Sequence, residues 1–158
     1  MGTLVRSAVL GLAVGGRTST AFAVPVMVGT RGRHGTGAGL LRLLARGAVL
    51  GELTADKLPS TPSRLADPVL YGRVAAGSLG ALALSVLERR RFGSHLVAVA
   101  VGGVSAFVGS VAGHEWRRWA AEEGPEAVRP DLRAALAEDA VVLLSAACLV
   151  RTSRDPRF

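Results

Sequence analysis

Apolar stretches separated by short charged or proline-containing segments run along most of the chain. Five such stretches are present, and they cover residues 4–28, 38–58, 69–87, 95–116 and 132–150. About 20 apolar residues in a helix are enough to cross the hydrocarbon core of a bilayer. The pattern therefore predicts an all-α fold, a polytopic helical membrane bundle with four or five membrane segments.

The first stretch is interrupted near its middle by the run Gly15-Gly16-Arg17-Thr18-Ser19-Thr20. Its length and its central arginine exclude a cleaved signal peptide, in which positive charge precedes the apolar region. We therefore predict a membrane helix for residues 4–28, with the glycine pair as the point where it breaks.

The second stretch carries four charged residues and leaves two arrangements open. Arg42 and Arg46 are four residues apart, as are Glu52 and Asp56, so each pair shares one face of a helix. The segment either crosses the membrane with these charges turned inward, which gives five crossings, or lies at the membrane surface as an amphipathic helix, which gives four.

Small residues recur every fourth position on the third and fourth predicted helices. They are Gly72, Ala76 and Gly80 on the third helix, and Ser105, Gly109 and Gly113 on the fourth. Such spacing allows two helix backbones to approach closely in a membrane. We predict that both stripes are Gly/Ala-rich packing faces.

The composition supports a membrane protein and argues against a nucleic-acid-binding one. The 158 residues are 49% hydrophobic and only 4% aromatic, and they include 20 glycines. The net charge of +7 comes from arginines that collect at the ends of the apolar stretches, where they act as topology signals. Because no basic helix face and no aromatic stacking platform is evident, nucleic acid is not an expected partner.

The positions of the arginines predict an orientation. With five crossings, the turns at Arg31 and Arg89 and the basic tail at residues 152–158 would share one side. The positive-inside rule makes that side the cytoplasm, with the amino terminus on the other side. We expect residues 1–158 to form a single integral domain of the cytoplasmic membrane, in contact with lipid and with a second copy or another membrane protein as partner.

Ionisable residues near or within the apolar segments form the candidate ion or substrate site. An ionised side chain at the centre of a bilayer costs about 2.5–3.5 kcal/mol, so it is expected to have a partner, a cavity or a function. The candidates are Arg17, Ser19, Glu52, Asp56, Lys57, Arg73, Glu138 and Asp139. Carboxylates that lie close together when buried cannot all stay ionised, and one of them would then exchange a proton or bind a cation.

A structural role for the same residues is the alternative. The charged residues would form ion pairs at the membrane boundary, where Asp56 and Lys57 begin the proline-containing loop, and Glu52 would be structural as well. Glu138 and Asp139 would lie within the first turns of the last helix, where the helix dipole favours carboxylates.

Motifs for enzymes and metal sites are scarce. His114-Glu115 has Arg118 where a metalloprotease helix needs its second histidine, and the single Cys148 excludes a multi-cysteine metal site. The serines lack the context of a nucleophile elbow. We therefore expect no metal and no cofactor. An enzyme that acts on lipid phosphate through Arg17, Arg64 and Arg73 stays a minority alternative, because no nucleophile is evident.

Four motifs resemble the bacterial family catalogued as domain of unknown function 4126. They are Gly16-Arg17-Thr18-Ser19, the block from Gly51 to Pro59 with Pro62-Ser63-Arg64, Gly72-Arg73 with Gly77, and Ala137-Glu138-Asp139-Ala140. The resemblance covers nearly the whole chain and implies a small integral membrane protein without an assigned activity.

Two functions are compatible with these residues. The first is a transporter or channel-like protein that uses Glu52 and Asp56 as a protonatable site. The second is a membrane scaffold or assembly factor that acts through its Gly-rich helix faces.

Overall fold

The computed structural model describes residues 2–55, 67–129 and 131–153, which form six helices and no strand. The helices are α1 (Thr3–Gly16), α2 (Thr20–Gly29), α3 (Thr36–Ala55), α4 (Asp67–Leu87), α5 (Phe92–Glu122) and α6 (Asp131–Thr152). For these residues the predicted all-α fold is confirmed. Residues 154–158 of the predicted basic tail lie outside the described part of the chain.

The first apolar stretch forms an antiparallel hairpin, which corrects the prediction of one membrane helix over residues 4–28. Arg6, near the start of α1, and Arg31, just after α2, both donate hydrogen bonds to the last turn of α6. Arg17, between the two helices, contacts Asp139 much earlier in α6. Because the start of α1 and the end of α2 lie at the same end of α6, the chain reverses direction at Arg17.

The other helices run lengthwise beside this hairpin. Arg42 of α3 donates to the carbonyl oxygen of Thr30 at 2.5 Å, and Glu52 of α3 accepts hydrogen bonds from Thr18 and Ser19. α3 is thus antiparallel to α2 and does not lie across the end of the bundle. The helix is not among the candidate membrane spans and Arg46 is exposed, so whether residues 38–58 cross the membrane or lie at its surface stays a prediction.

Two ends of the bundle can now be distinguished. The end formed by the turns 30–35 and 88–91 and the last turn of α6 is called the basic end, since these segments contain Arg31, Arg33, Arg89 and Arg151. The start of α1 lies there as well, because Arg6 contacts Glu88. The start of α1 is therefore at the same end of the bundle as the basic turns. The prediction had placed the amino terminus opposite them. The reason is that the hairpin adds a reversal to the path of the chain.

Glycines set the distance between the helices at the centre of the bundle. A Cβ atom added at Gly15 would lie 2.5 Å from the carbonyl oxygen of Ala106 and 2.5 Å from the amide nitrogen of Ser110. At Gly77 of α4 it would lie 2.7 Å from the carbonyl oxygen of Gly102 in α5. α1, α4 and α5 thus meet backbone to backbone, as small residues allow.

The predicted small-residue stripes take part in this packing unequally. Gly109 meets Leu12 of α1, Ser105 lies beside Gly11, and Gly113 is buried. Gly80 meets Ala21 of α2, and Ala76 is half-buried. A Cβ atom added at Gly72 would meet none of the described residues within 4 Å, so Gly72 belongs to no packing face among them. The buried face of α4 includes Arg73 and Gly77, whereas Gly72 lies on an exposed side of the helix.

Two of the described helices, α4 and α5, are long and apolar enough to cross a membrane by length and composition. Four or five membrane segments were predicted, and two of the described helices meet these criteria. α1 and α2 are apolar but have only 14 and 10 residues. Charged residues such as Arg46 in α3 and Glu138 in α6 make those helices less apolar than the sequence pattern suggested.

Candidate functional site

The candidate site is the tip of the α1–α2 hairpin, which lies inside the bundle. α1 ends at Gly16 and α2 begins at Thr20, so three residues separate two helix ends. Each helix end leaves backbone N–H or C=O groups without a partner in the helix. The tip faces Arg73, the seventh residue of α4, and is therefore about two turns away from the end of the bundle.

Glu52 satisfies the amino-terminal end of α2. Its Oε1 accepts a hydrogen bond from the backbone N–H of Thr18 at 2.8 Å, and its Oε2 accepts one from the N–H of Ser19 at 2.7 Å. A carboxylate at this position is favoured by both the donors and the dipole of the helix. Glu52 on α3 thus acts as the cap of a helix that is distant in sequence.

Arg73 satisfies the carboxy-terminal end of α1. Its Nη1 donates to the carbonyl oxygens of Gly15 at 2.5 Å and Gly16 at 3.1 Å. Its Nη2 lies 3.9 Å from Oε1 of Glu52. The hydroxyl of Ser110 on α5 adds a long contact of 3.4 Å to the carbonyl oxygen of Gly15. The two ends of the broken helix are therefore held by opposite charges that also attract each other.

Arg17 connects the tip to α6 and α3. Its Nε donates to Oδ1 of Asp139 at 2.8 Å, and its Nη2 contacts the same oxygen. Its Nη1 donates to the backbone carbonyl oxygen of Glu52 at 3.2 Å. Only 1% of Arg17 and 5% of Asp139 are exposed, so this is a buried ion pair. Such a pair is stable only with good geometry and further hydrogen bonds.

Each carboxylate that the structure describes at the tip contacts an arginine. Glu52 lies beside Arg73, Asp139 binds Arg17, and Glu138 lies 3.3 Å from Nε of Arg117. Glu138 also borders the tip, since its Oε1 would be 3.5 Å from a Cβ atom at Gly16. The carboxylates predicted for the site are thus each paired with an arginine in the described part of the chain.

Two buried oxygen atoms at the tip lack a hydrogen-bond partner among the described residues, namely Oδ2 of Asp139 and Oγ of Ser19. Buried polar atoms without a partner cost free energy and are uncommon. They show that the polar groups of the tip are not fully used by the contacts within this part of the chain.

The structure brings together Arg17, Ser19, Glu52, Arg73 and Asp139, with Glu138 at the border. Asp56 and Lys57 lie outside the described residues. Glu138 and Asp139 are the eighth and ninth residues of α6, beyond its first two turns, so the dipole at the start of that helix does not explain them.

Two residues that contact the tip and a second charged cluster were not predicted from the sequence. The two residues are Arg117, which pairs with Glu138, and Ser110, whose hydroxyl contacts the carbonyl oxygen of Gly15. The second cluster joins Arg6 to Glu88 at 2.6 Å and Glu88 to Arg90 at 2.9 Å, at the basic end. Arg6 in an apolar helix, and Glu88 as the one acid in an arginine run, were the signals for this cluster.

Within the described ranges, no group of three or more His, Cys, Asp or Glu side chains is placed to hold a metal ion. Comparisons with protein families, curated proteins and solved structures find no match to this chain. The resemblance to the family of domain 4126 therefore stays a prediction, and the function is inferred from the geometry of the tip.

Proposed function

We propose that this chain is an integral membrane protein with its basic end toward the cytoplasm. α4 and α5 are candidate spans, and only a third of the most apolar part of each is buried in the bundle. The core helix of a soluble protein would be mostly buried. Large apolar side chains face outward on each of the six described helices, among them Leu79, Val104 and Leu144, each at least 65% exposed. Lipid is the environment that suits such surfaces.

We infer further that the protein belongs to the class of transporters and channel-like proteins, with the hairpin tip as its polar site. The observation that carries this inference is the pair of helix ends that meet at Arg17 inside the bundle. Non-helical backbone at membrane depth is tolerated where it is buried in protein or lines a watery cavity. Discontinuous helices form substrate and ion sites near the midplane of transporters through their helix ends, and the hairpin tip likewise brings two helix ends together.

Glu52 is the residue that would couple a proton to movement of the tip. Its two oxygens hold the amides of Thr18 and Ser19, and its charge attracts Arg73. A proton on Glu52 would remove that charge and convert one acceptor oxygen into a donor. The cap of α2 would then weaken, and the polar groups of the tip would become accessible to a solute.

Glu52→Gln is expected to lower proton or cation flux by about tenfold or more in proteoliposomes. Glutamine keeps the size of the side chain, but it carries no charge and its amide nitrogen cannot accept a hydrogen bond from an N–H group. The measurement uses a pH-sensitive dye inside the vesicles and an imposed potential or cation gradient.

Glu115→Gln is the matched control for this experiment. Glu115 lies on α5, pairs with Arg118 one turn away, and has a side chain that is 46% exposed. The Glu115→Gln substitution should leave flux unchanged. If Glu52→Gln protein that elutes as a folded species transports as well as the wild type, Glu52 is not the coupling residue.

A membrane scaffold or assembly factor is the second candidate, and the open surface around Gly72 favours it. Gly72 and Ala75 are both exposed on α4, and a Cβ atom at Gly72 would lie within 4 Å of no residue in the described part of the chain. A neighbouring helix could approach closely at this position. Wild-type protein that is folded in vesicles but gives no flux would favour this candidate over transport.

A further inference from the structure

We propose that the cleft between α2, α3 and α4 is a binding site for an anionic phospholipid, with the acyl chain in the cleft and the phosphate at Arg33. This proposal rests on the membrane location argued above, but not on transport. The cleft has a volume of about 620 Å³, and its lining residues come from these three helices and the turn after α2. That volume lies within the range of about 300–1,000 Å³ that is usual for small-molecule sites.

The walls of the cleft are apolar and suit a hydrocarbon chain. On α4 the small residues Ala76, Gly80 and Ala83 line the cleft together with two leucines, and Phe22 on α2 and Leu41 on α3 contribute further large side chains. Gly80 is closely packed on Ala21 of α2, so the floor of the cleft is fixed. A hydrocarbon chain therefore meets mainly apolar side chains along the cleft, above a floor that close packing of α2 on α4 fixes.

The mouth of the cleft lies at the basic end of the bundle. Arg33 lines it and is exposed, and Leu87 lines it where α4 ends. The turn that follows Leu87 carries Arg89 and Arg91, which do not line the cleft but are exposed beside it. The acid in that turn, Glu88, is buried and lies between Arg6 and Arg90. The charge at the mouth is thus positive, which complements a phosphate group.

The turn that carries Arg33 is held in place. Arg42 of α3 donates to the carbonyl oxygen of Thr30 at 2.5 Å and to that of Arg33 at 2.7 Å, and its Nε donates to Oγ1 of Thr30 at 3.1 Å. A guanidinium on a fixed turn loses less conformational entropy when it binds. Basic pockets between membrane helices on the cytoplasmic side are a known way to bind anionic headgroups.

Native mass spectrometry of the full chain in detergent tests this site. The probes are phosphatidylglycerol and phosphatidylcholine with the same acyl chains, at equal concentration. We expect wild type to retain phosphatidylglycerol over phosphatidylcholine by about fivefold. Arg33→Gln should remove that preference, and Ala76→Phe, which fills the cleft, should remove retention of both lipids.

Two matched controls should behave as wild type. Arg129→Gln removes an exposed arginine at the opposite end, and Ala75→Phe adds the same bulk to an exposed position of α4 that does not line the cleft. Unchanged preference in Arg33→Gln, equal retention of the two lipids by wild type, or a dimer that excludes lipid would each overturn the proposal. Flux is not used in this experiment, so its outcome is independent of the transport proposal.

Discussion

Arg17→Met is expected to lower the free energy of unfolding by about 3–5 kcal/mol, because it leaves Asp139 as a buried carboxylate without its cation. Asp139 is 5% exposed, and one of its oxygens already lacks a hydrogen-bond partner among the described residues. The loss of Arg17 would remove both contacts to the other oxygen. The measurement is an equilibrium unfolding titration in mixed detergent micelles.

The control for Arg17 is an exposed pair of the same chemistry. Arg118→Met removes the partner of Glu115 on α5, where both side chains are about half exposed. Exposed pairs contribute about 0–1 kcal/mol, so this variant should be close to wild type. The double variant Arg17→Met with Asp139→Asn should recover part of the loss, since no unpaired carboxylate then remains. Equal stabilities of Arg17→Met and Arg118→Met would contradict the buried ion pair.

Gly15→Ala is the second substitution with a large expected effect, a loss of about 1–3 kcal/mol or more. The new methyl group would lie 2.5 Å from two backbone atoms of α5, the carbonyl oxygen of Ala106 and the amide nitrogen of Ser110. Backbone atoms in a helix cannot turn aside as a side chain does, so α1 and α5 must move apart. The same unfolding titration measures the loss.

Gly72→Ala is the matched control on α4, because its methyl group would contact none of residues 2–55, 67–129 and 131–153. Alanine is favoured over glycine inside a helix by about 1 kcal/mol, so this variant should be as stable as wild type or more stable. If Gly15→Ala were also stabilising, α1 and α5 would not pack backbone to backbone as described.

The break in the first apolar stretch could be predicted from the sequence, but the reversal of the chain could not. Gly15, Gly16 and Arg17 mark the interruption. A kinked helix and a hairpin have the same local pattern, however. Contacts from Arg6 and Arg31 to the end of α6 distinguish them, and these contacts join residues more than 100 positions apart.

The charged residues of the site were found by the cost of placing them in apolar segments, and most of the described ones do meet. Their partners could not be assigned, because several ionisable residues allow many pairings and only the packing selects one. The role of Glu52 as a helix cap could not be predicted from the sequence either, since it depends on α3 lying beside the start of α2.

The small-residue stripe on α4 shows a limit of spacing as a guide to packing. Gly72, Ala76 and Gly80 follow one another at four-residue intervals, yet their surroundings differ. Gly80 packs on α2, Ala76 lines a cleft, and Gly72 contacts no other helix among the described residues. Spacing places residues on one face of a helix, whereas the lengths and tilts of its neighbours decide how much of that face is covered. Gly15 and Gly77, which contact the backbone of α5, belong to no predicted stripe.

The measurement that tests the hairpin most directly is cysteine labelling from outside intact cells with a membrane-impermeant maleimide. Single cysteines at Gly2, His34 and Glu126 are introduced after Cys148 is replaced by Ser, and all three positions are exposed. The hairpin predicts that Gly2→Cys and His34→Cys are protected until the cells are permeabilised, while Glu126→Cys is labelled at once. Labelling of Gly2→Cys together with Glu126→Cys would mean that residues 4–28 cross the membrane, and the hairpin would be wrong.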